Sequence, residues 1–268
     1  MKGLGWAALA CSAASILGCG GANPGPGPST STSTSTTTVT VTINSTVTHP
    51  ISPYIYGINF ASKVAGVPSG LTCDRAGGNR LTTYNWATNA SNAGSDWSYQ
   101  NDNYLSGSAS PAAAMSSFIA EDQSRGMATI VTFQMQGLVA GDESGPVSVA
   151  NPPDRARFNT VVFQKKLVSD VPFTASPPPG EETVYMDEFI WALDQKFPGQ
   201  NIFGPAPTSQ RVFAELDNEP ELWNSTHLEV QGPTRVSSDK YIAKTISLAA
   251  ALKAQFPDVI IFGPAHYG

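Results

Sequence analysis

Eight consecutive residues, Leu216-Asp217-Asn218-Glu219-Pro220-Glu221-Leu222-Trp223, concentrate three carboxylates, an amide and an indole. A carboxyl group held partly away from water stays protonated near neutral pH and can pass its proton to a departing oxygen, the chemistry that breaks a glycosidic bond. Glu219, boxed by Pro220 with Trp223 nearby, is the candidate proton donor, and Asn218 beside it is suited to hydrogen-bond a sugar hydroxyl. Taken alone, an Asn-Glu-Pro turn ordinarily just ends a strand and caps the next element.

The elements that must position this stretch can be read around it. Val212-Phe213-Ala214 is a buried strand leading into it. Pro220 has no N–H to give a ladder and pushes Glu219 toward an extended backbone, so the strand stops with Glu219 at its rim, where parallel α/β folds carry their chemistry. Asp217, two residues earlier, reads as a structural carboxylate. Earlier strands are expected at Tyr54–Phe60, at a segment ending in Arg75 and at Met127–Phe133, whose exit brings Gln134, Met135 and Gln136 to the same rim; a later one runs Val259–Phe262. Between them, Ser110-Pro111 starts a helix carrying Met115, Phe118 and Ile119 on one face. A second helix carries Met186, Phe189, Ile190, Leu193 and Phe197, and a third is capped by Ser238 with Ile242, Ile246 and Ala249 on its apolar side. Leu138 to Gly180, with Pro152-Pro153 and Pro177-Pro178-Pro179, reads as a long irregular excursion. Strand, helix, strand, helix is the pattern of a (β/α) barrel.

A second stretch, Arg75-Ala76-Gly77-Gly78-Asn79-Arg80-Leu81-Thr82-Thr83-Tyr84-Asn85-Trp86, runs on to Asn89-Ala90-Ser91-Asn92-Ala93-Gly94-Ser95-Asp96-Trp97. Together with Leu216–Trp223 and the terminal Phe262-Gly263-Pro264-Ala265-His266-Tyr267-Gly268, it closely resembles glycoside hydrolase family 44, endoglucanases and xyloglucanases, from about Ile51 to the last residue. The resemblance implies an α/β fold of the (β/α)8 TIM-barrel type, with residues 39–268 the N-terminal part of its catalytic module. It implies an endo-acting hydrolase of β-1,4-glucan with retention, Glu219 as general acid/base, and Arg75 close to the nucleophile. Asn218, Asn79, Tyr84, Trp86, Trp97 and Trp223 are candidate substrate contacts. Asn79 tying its own loop and Trp86 filling a crevice beneath it are equally consistent readings. Gly77 and Gly78 permit positive φ or close backbone approach. Ala76 and Thr88 depart from the large apolar and acidic residues usual in the family, which puts subsite shape in question.

The expected strands place Glu219 on the fourth and the last residue just beyond the fifth, whereas a closed barrel takes eight strands and about 250 residues. The resemblance therefore implies a chain stopping about half-way through the architecture, with the family's nucleophile, a second Glu on a later strand, outside it. The strand at 39–47, alternating Val39, Val41, Ile43 with Thr40, Thr42, Asn44, is assigned by the resemblance to an accessory β-sandwich. A non-catalytic glucan-binding surface lipoprotein and an inactive fragment stand as alternatives.

At the N-terminus, residues 1–19 form a signal peptide: Lys2, a short apolar core, then Leu17-Gly18-Cys19, which resembles a lipoprotein cleavage site with Cys19 as the lipidated residue. Residues 20–38, rich in Pro, Gly, Ser and Thr, read as a disordered tether. Export to the cell surface or outer membrane as a lipoprotein, otherwise secretion, follows. Loss of Cys11 with the signal leaves Cys73 as a buried, inert thiol with no disulfide framework. A net charge of −6 and 13% charged residues supply no basic patch for nucleic acid, so the expected partners are a neutral β-glucan and, through the lipid anchor only, a membrane. No cofactor motif is present; Asn101-Asp102-Asn103 and Glu181-Glu182 lack calcium-loop spacing and read as solvated surface.

Overall fold

The computed structural model of the chain describes residue 40, residues 48–150 and residues 155–267. The expected signal peptide, tether and lipidated Cys19, and the strand at 39–47 apart from Thr40, lie outside the described residues. Contacts divide the chain into two units, Met1–His49 and Pro50–Gly268.

The second unit is an α/β fold around a five-stranded parallel sheet. Its strands are β1 (Gly57–Asn59), β2 (Cys73–Ala76), β5 (Ala128–Phe133), β10 (Val212–Leu216) and β11 (Ile261–Phe262), lying side by side in chain order. They are the five strands expected from sequence, four from hydrophobic runs and β2 from its exit at Arg75 and the glycine pair, and Glu219 follows the fourth. β10 is buried at every residue because it lies between β5 and β11 with both faces covered, the condition that makes a parallel strand read as a continuous apolar run. Helix α2 (Ala113–Ser124) packs Met115, Phe118 and Ile119 inward, and α3 (Met186–Gln195) buries Phe189, Ile190 and Leu193. Phe189 gathers the aromatic core, stacked on Trp86 at 5.6 Å and tilted against Phe133 at 5.0 Å.

Three local expectations are corrected. Helix α2 begins at Ala113 rather than at Ser110-Pro111, because Ala112 takes a left-handed conformation and gives its N–H to Trp86 O at 2.6 Å, leaving Pro111 in the turn before it. Helix α6 (Ser238–Gln255) is capped by Ser237, whose Oγ accepts the Lys240 N–H. Its inward stripe is Leu248, Ala251 and Leu252, with Ile242 and Ile246 exposed. The amphipathic reading failed because Lys244 and Thr245, polar by type, take inward places: Lys244 Nζ donates to Met135 O and Gln136 O, and Thr245 Oγ1 lies 3.6 Å from Met135 Sδ.

The excursion after Leu138 is more ordered than expected. Strands β6 (Leu138–Ala140), β8 (Phe158–Val162) and β9 (Thr183–Tyr185) form a second sheet, β6 antiparallel and β9 parallel to the central strand. A third small sheet joins β3 (Ser91–Asn92), β4 (Gln100–Asp102) and β7 (Gly145–Pro146). Lys165 ties the excursion down through a buried ion pair with Glu188 at 2.6 Å and a contact to Pro172 O.

Candidate active site

At the carboxyl ends of the parallel strands the chain turns sharply after β10. Asp217 and Glu219 both adopt left-handed backbones, with φ of 71° and 43°, on either side of Asn218. Extended backbone was expected for Glu219 ahead of a proline. The surroundings override that preference: the Glu219 N–H donates to Ala265 O at 2.8 Å, and Ala265 returns its own N–H to Asp217 O. Left-handed non-glycine residues persist only where neighbours over-determine them, and such strain collects at functional sites.

Asp217 is the main restraint. Its side chain is completely buried, and its Oδ2 accepts the N–H groups of Met135 at 2.5 Å and Gln136 at 2.9 Å while Oδ1 takes that of Asn218 at 2.7 Å. The exits of β5 and β10 are thereby locked together. Burial pushes the Asp217 carboxyl above its usual range against these hydrogen bonds, and burial likewise lowers Lys244, which Asp217 partly offsets. The expectation that Asp217 is structural agrees with this geometry, and Gln134–Gln136 do arrive at the same rim.

Asn218, 3% exposed, is the hub of the site. Its Oδ1 accepts from Arg75 Nη2 at 2.8 Å and from the Gly78 N–H at 3.2 Å, and its Nδ2 donates to Glu219 Oε2 at 3.0 Å. From below, Trp223 Nε1 donates to Asn218 O at 2.9 Å. Glu219 is partly exposed, so its carboxyl is both anchored and reachable.

Arg75 joins the site from β2. Its Nε donates to both oxygens of Glu215, at 2.8 and 3.0 Å, and Nη1 reaches Asn59 Oδ1 at 3.4 Å. The Thr132 hydroxyl lies 2.9 Å from Glu215 Oε2. Glu215 is a residue that sequence reasoning passed over; a lone carboxylate inside the apolar run Val212–Leu216 was the signal, since a buried charge needs a partner. Gly77 explains itself here: a Cβ at that position would sit 2.0 Å from the Arg75 guanidinium carbon, so any other residue would push the guanidinium from its place against Glu215 and Asn218. Gly78 takes φ of 98°, turning its N–H toward Asn218.

The remaining predicted contacts divide. Asn79 and Trp97 stand at the rim: Asn79 Nδ2 donates to Asp96 Oδ1 at 2.8 Å, and Trp97, at the end of the turn Gly94–Trp97, is 67% exposed. Tyr84, Trp86 and Trp223 are corrected from substrate contacts to core residues, since each is no more than 1% exposed and offers no ring face to a sugar. Their polar atoms are used internally, Tyr84 Oη to Asn89 and Trp86 Nε1 to Tyr185 O. Trp223 accordingly forms the floor under Asn218 rather than a wall beside Glu219. Glu221 is drawn away by the Tyr267 N–H at 2.6 Å and by His266 at 3.2 Å.

Cys73 is a free thiol, buried as expected and pushed up to about 12 by burial and by the Asp122 and Asp74 carboxylates. Asn101 is turned inward to Asn92, Asp102 pairs with Arg80, and among the described residues no group of three or more His, Cys, Asp or Glu side chains is placed to hold a metal.

Comparison with known proteins puts these features in context. The family model for glycoside hydrolase family 44 matches residues 90–268. Endoglucanase A of Paenibacillus lautus is 38% identical over 227 residues, covering 81% of this chain and 30% of that protein. The beta-mannanase/endoglucanase A of Caldicellulosiruptor saccharolyticus is 38% identical, with 81% and 16% covered. A Paenibacillus polymyxa family 44 xyloglucanase solved with xyloglucan superposes with a TM-score of 0.72 at 37% identity, over 82% of this chain and 42% of that one. A family 44 endoglucanase from Clostridium thermocellum superposes at 0.71 and 36% identity, again over 82% and 42%. The chain thus spans less than half the length of the relatives it matches.

Proposed function

Since the chain belongs to glycoside hydrolase family 44, we propose that its rim is the acid/base half of a retaining endo-β-1,4-glucanase site of the cellulose or xyloglucan type, with Glu219 as the general acid/base. One observation carries the reading: Glu219 is the one carboxylate of the 215–221 stretch that is held by a single side-chain amide and still reaches solvent, at the carboxyl end of a parallel strand. That is the placement a proton donor to a leaving oxygen requires. Arg75, Asn218 and Asn79 shape the cleft beside it, and Trp97 offers a stacking face for a sugar ring.

Retention needs a second carboxylate about 5 Å from the first. Glu215 is committed to Arg75, Asp217 to three backbone N–H groups, and Glu221 to Tyr267 and His266, so none of them is free for that role. We assign the nucleophile to a later strand of the family's catalytic module, outside the residues of this chain. Export through the 1–19 signal, with lipid on Cys19, is part of the same proposal and would bring the site to extracellular polysaccharide.

The experiment is Glu219→Gln in protein that includes the complementary carboxylate. Hydrolysis of unactivated β-glucan should fall by about 10²-fold or more while an aryl glycoside with a good leaving group loses far less, because only the former depends on proton donation. Equal loss on both substrates would overturn the acid/base assignment.

A further inference from the structure

The excursion carries a loop, residues 165–174, whose two ends close on one oxygen. Lys165 Nζ and the Thr174 N–H both donate to Glu188 Oε1, at 2.6 and 2.7 Å, and Glu188 is 1% exposed. The Lys165 N–H donates to both carboxylate oxygens of Asp187, and its ammonium also meets Pro172 O at 3.3 Å. Within the loop the Val168 and Ser169 N–H groups donate to Lys165 O, and the Val171 N–H to Ser169 Oγ. A loop closed at its neck and bonded within itself presents its tip in a fixed shape.

That tip is apolar. Leu167 is 75% exposed, Val168 62% and Val171 63%, with exposed Pro172 beside them. At the neck, the half-buried rings of Phe173 and of Trp191 on α3 stand 5.8 Å apart. Exposed aliphatics scattered singly are ordinary, but a contiguous group marks a surface that meets a partner or a membrane. The chemistry of the group separates these. A sugar chain asks for a flat aromatic face, and residues 166–172 contain none. Protein interfaces concentrate Tyr, Trp, Met and Arg, which are also absent from 166–172. Lys166 and Asp170 contribute one charge of each sign, so the tip is neutral. Branched aliphatic side chains on a neutral tip match the hydrocarbon boundary of a bilayer.

The chain itself brings a bilayer within reach. Cys19, read as lipidated, lies about 30 residues before Pro50, where the folded unit begins, and that length spans at most about 100 Å. A unit tethered in this way meets the bilayer at high effective concentration, so a small apolar contact is enough to select the face turned toward it. No described helix is long and apolar enough to cross a membrane, so such a contact stops at the interface.

We propose that the 166–172 tip dips into the bilayer that holds the lipid on Cys19, as a second membrane contact. The proposal rests on the lipoprotein reading, and the test separates the two. The mature lipidated protein is reconstituted in phosphatidylcholine vesicles, with and without nitroxide groups on the acyl chains. It carries a nitrobenzoxadiazole label at Val168→Cys or, as control, at Ser124→Cys, the last residue of α2; both sites are exposed, and Cys73 is buried away from the reagent. The label at Val168→Cys should emit at shorter wavelength than the control and be quenched by the nitroxide, and the control should not be quenched. Adding Leu167→Asp and Val171→Asp should abolish the quenching while near-ultraviolet circular dichroism stays that of wild type. Emission at the control wavelength without quenching overturns the membrane contact while lipidation stands. Short-wavelength emission without quenching overturns it as well, since the tip is then covered by protein. Protein recovered without lipid on Cys19 overturns the lipoprotein reading and the contact with it.

Discussion

Arg75 and Glu219 never touch in the hydrogen-bond network, yet they are coupled through one side chain: Asn218 accepts from Arg75 Nη2 at 2.8 Å and donates to Glu219 Oε2 at 3.0 Å. The arginine is itself pinned by Glu215, so the position of the rim carboxyl is referred back to the core of the sheet.

Arg75→Lys should disconnect this chain of contacts. An ammonium cannot reproduce the guanidinium fork that bonds both oxygens of Glu215 and reaches Asn218 at the same time. A loss of about 1–3 kcal/mol is expected, Arg75 being partly exposed, and urea denaturation would measure it. An unchanged midpoint would show that the network carries no stability.

Asp217→Ala should be the more damaging change. It leaves the N–H groups of Met135, Gln136 and Asn218 buried without their acceptor, and places alanine in a left-handed conformation. About 3–5 kcal/mol is expected, with Asp217→Asn intermediate because one oxygen remains. Denaturant midpoints of the three proteins should rank in that order.

A buried carboxyl pair should make stability depend on pH. Asp122 on α2 and Asp74 on β2 are each 1% exposed and hydrogen-bonded to one another, and Thr129 Oγ1 donates to Asp122 at 2.7 Å. Burial pushes Asp122 up to about 8, with the Asp74 charge adding to it, and Asp74 is raised as well. Because the folded-state value lies above the unfolded one, the native protein holds the extra proton. Stability from this group is complete below the ordinary carboxylate value of 3.8 and declines as pH rises toward 8. Asp122→Asn keeps the shape and cannot ionise, so its melting temperature should match wild type near pH 4 and exceed it at pH 8 to 9. Parallel curves for the two proteins would refute the shared-proton account.

Cys19→Ala should abolish lipid attachment. Metabolic labelling with a radioactive fatty acid, followed by isolation of the protein, would check it, and a labelled Cys19→Ala protein would overturn the lipoprotein proposal.

Much of the architecture is legible from local pattern. Apolar runs mark four of the five parallel strands, β2 being placed by Arg75 and the glycine pair, and the inward residues of α2 and α3 fall at helical spacing, because burial on a repeating element imposes a period that survives in sequence. Glu219, the glycine pair and Arg75 stand out for a similar reason: proline, glycine and isolated charge interrupt that period.

What the sequence could not decide is which polar or aromatic residue meets water. Trp86, Tyr84 and Trp223 belong to the core and Trp97 to the surface, although all are aromatic residues in the same kind of polar neighbourhood. Lys244 faces inward while Ile242 and Ile246 face out, because two carbonyls at the exit of β5 need a donor there. The left-handed Glu219 contradicts the preference of a residue before proline, and it exists only because Ala265, far along the chain, accepts its N–H. Local sequence thus determined the repeating elements and singled out Glu219 as the candidate carboxyl. Tertiary contacts decided its conformation and its partners, since these depend on hydrogen bonds between residues distant in sequence that no local period encodes.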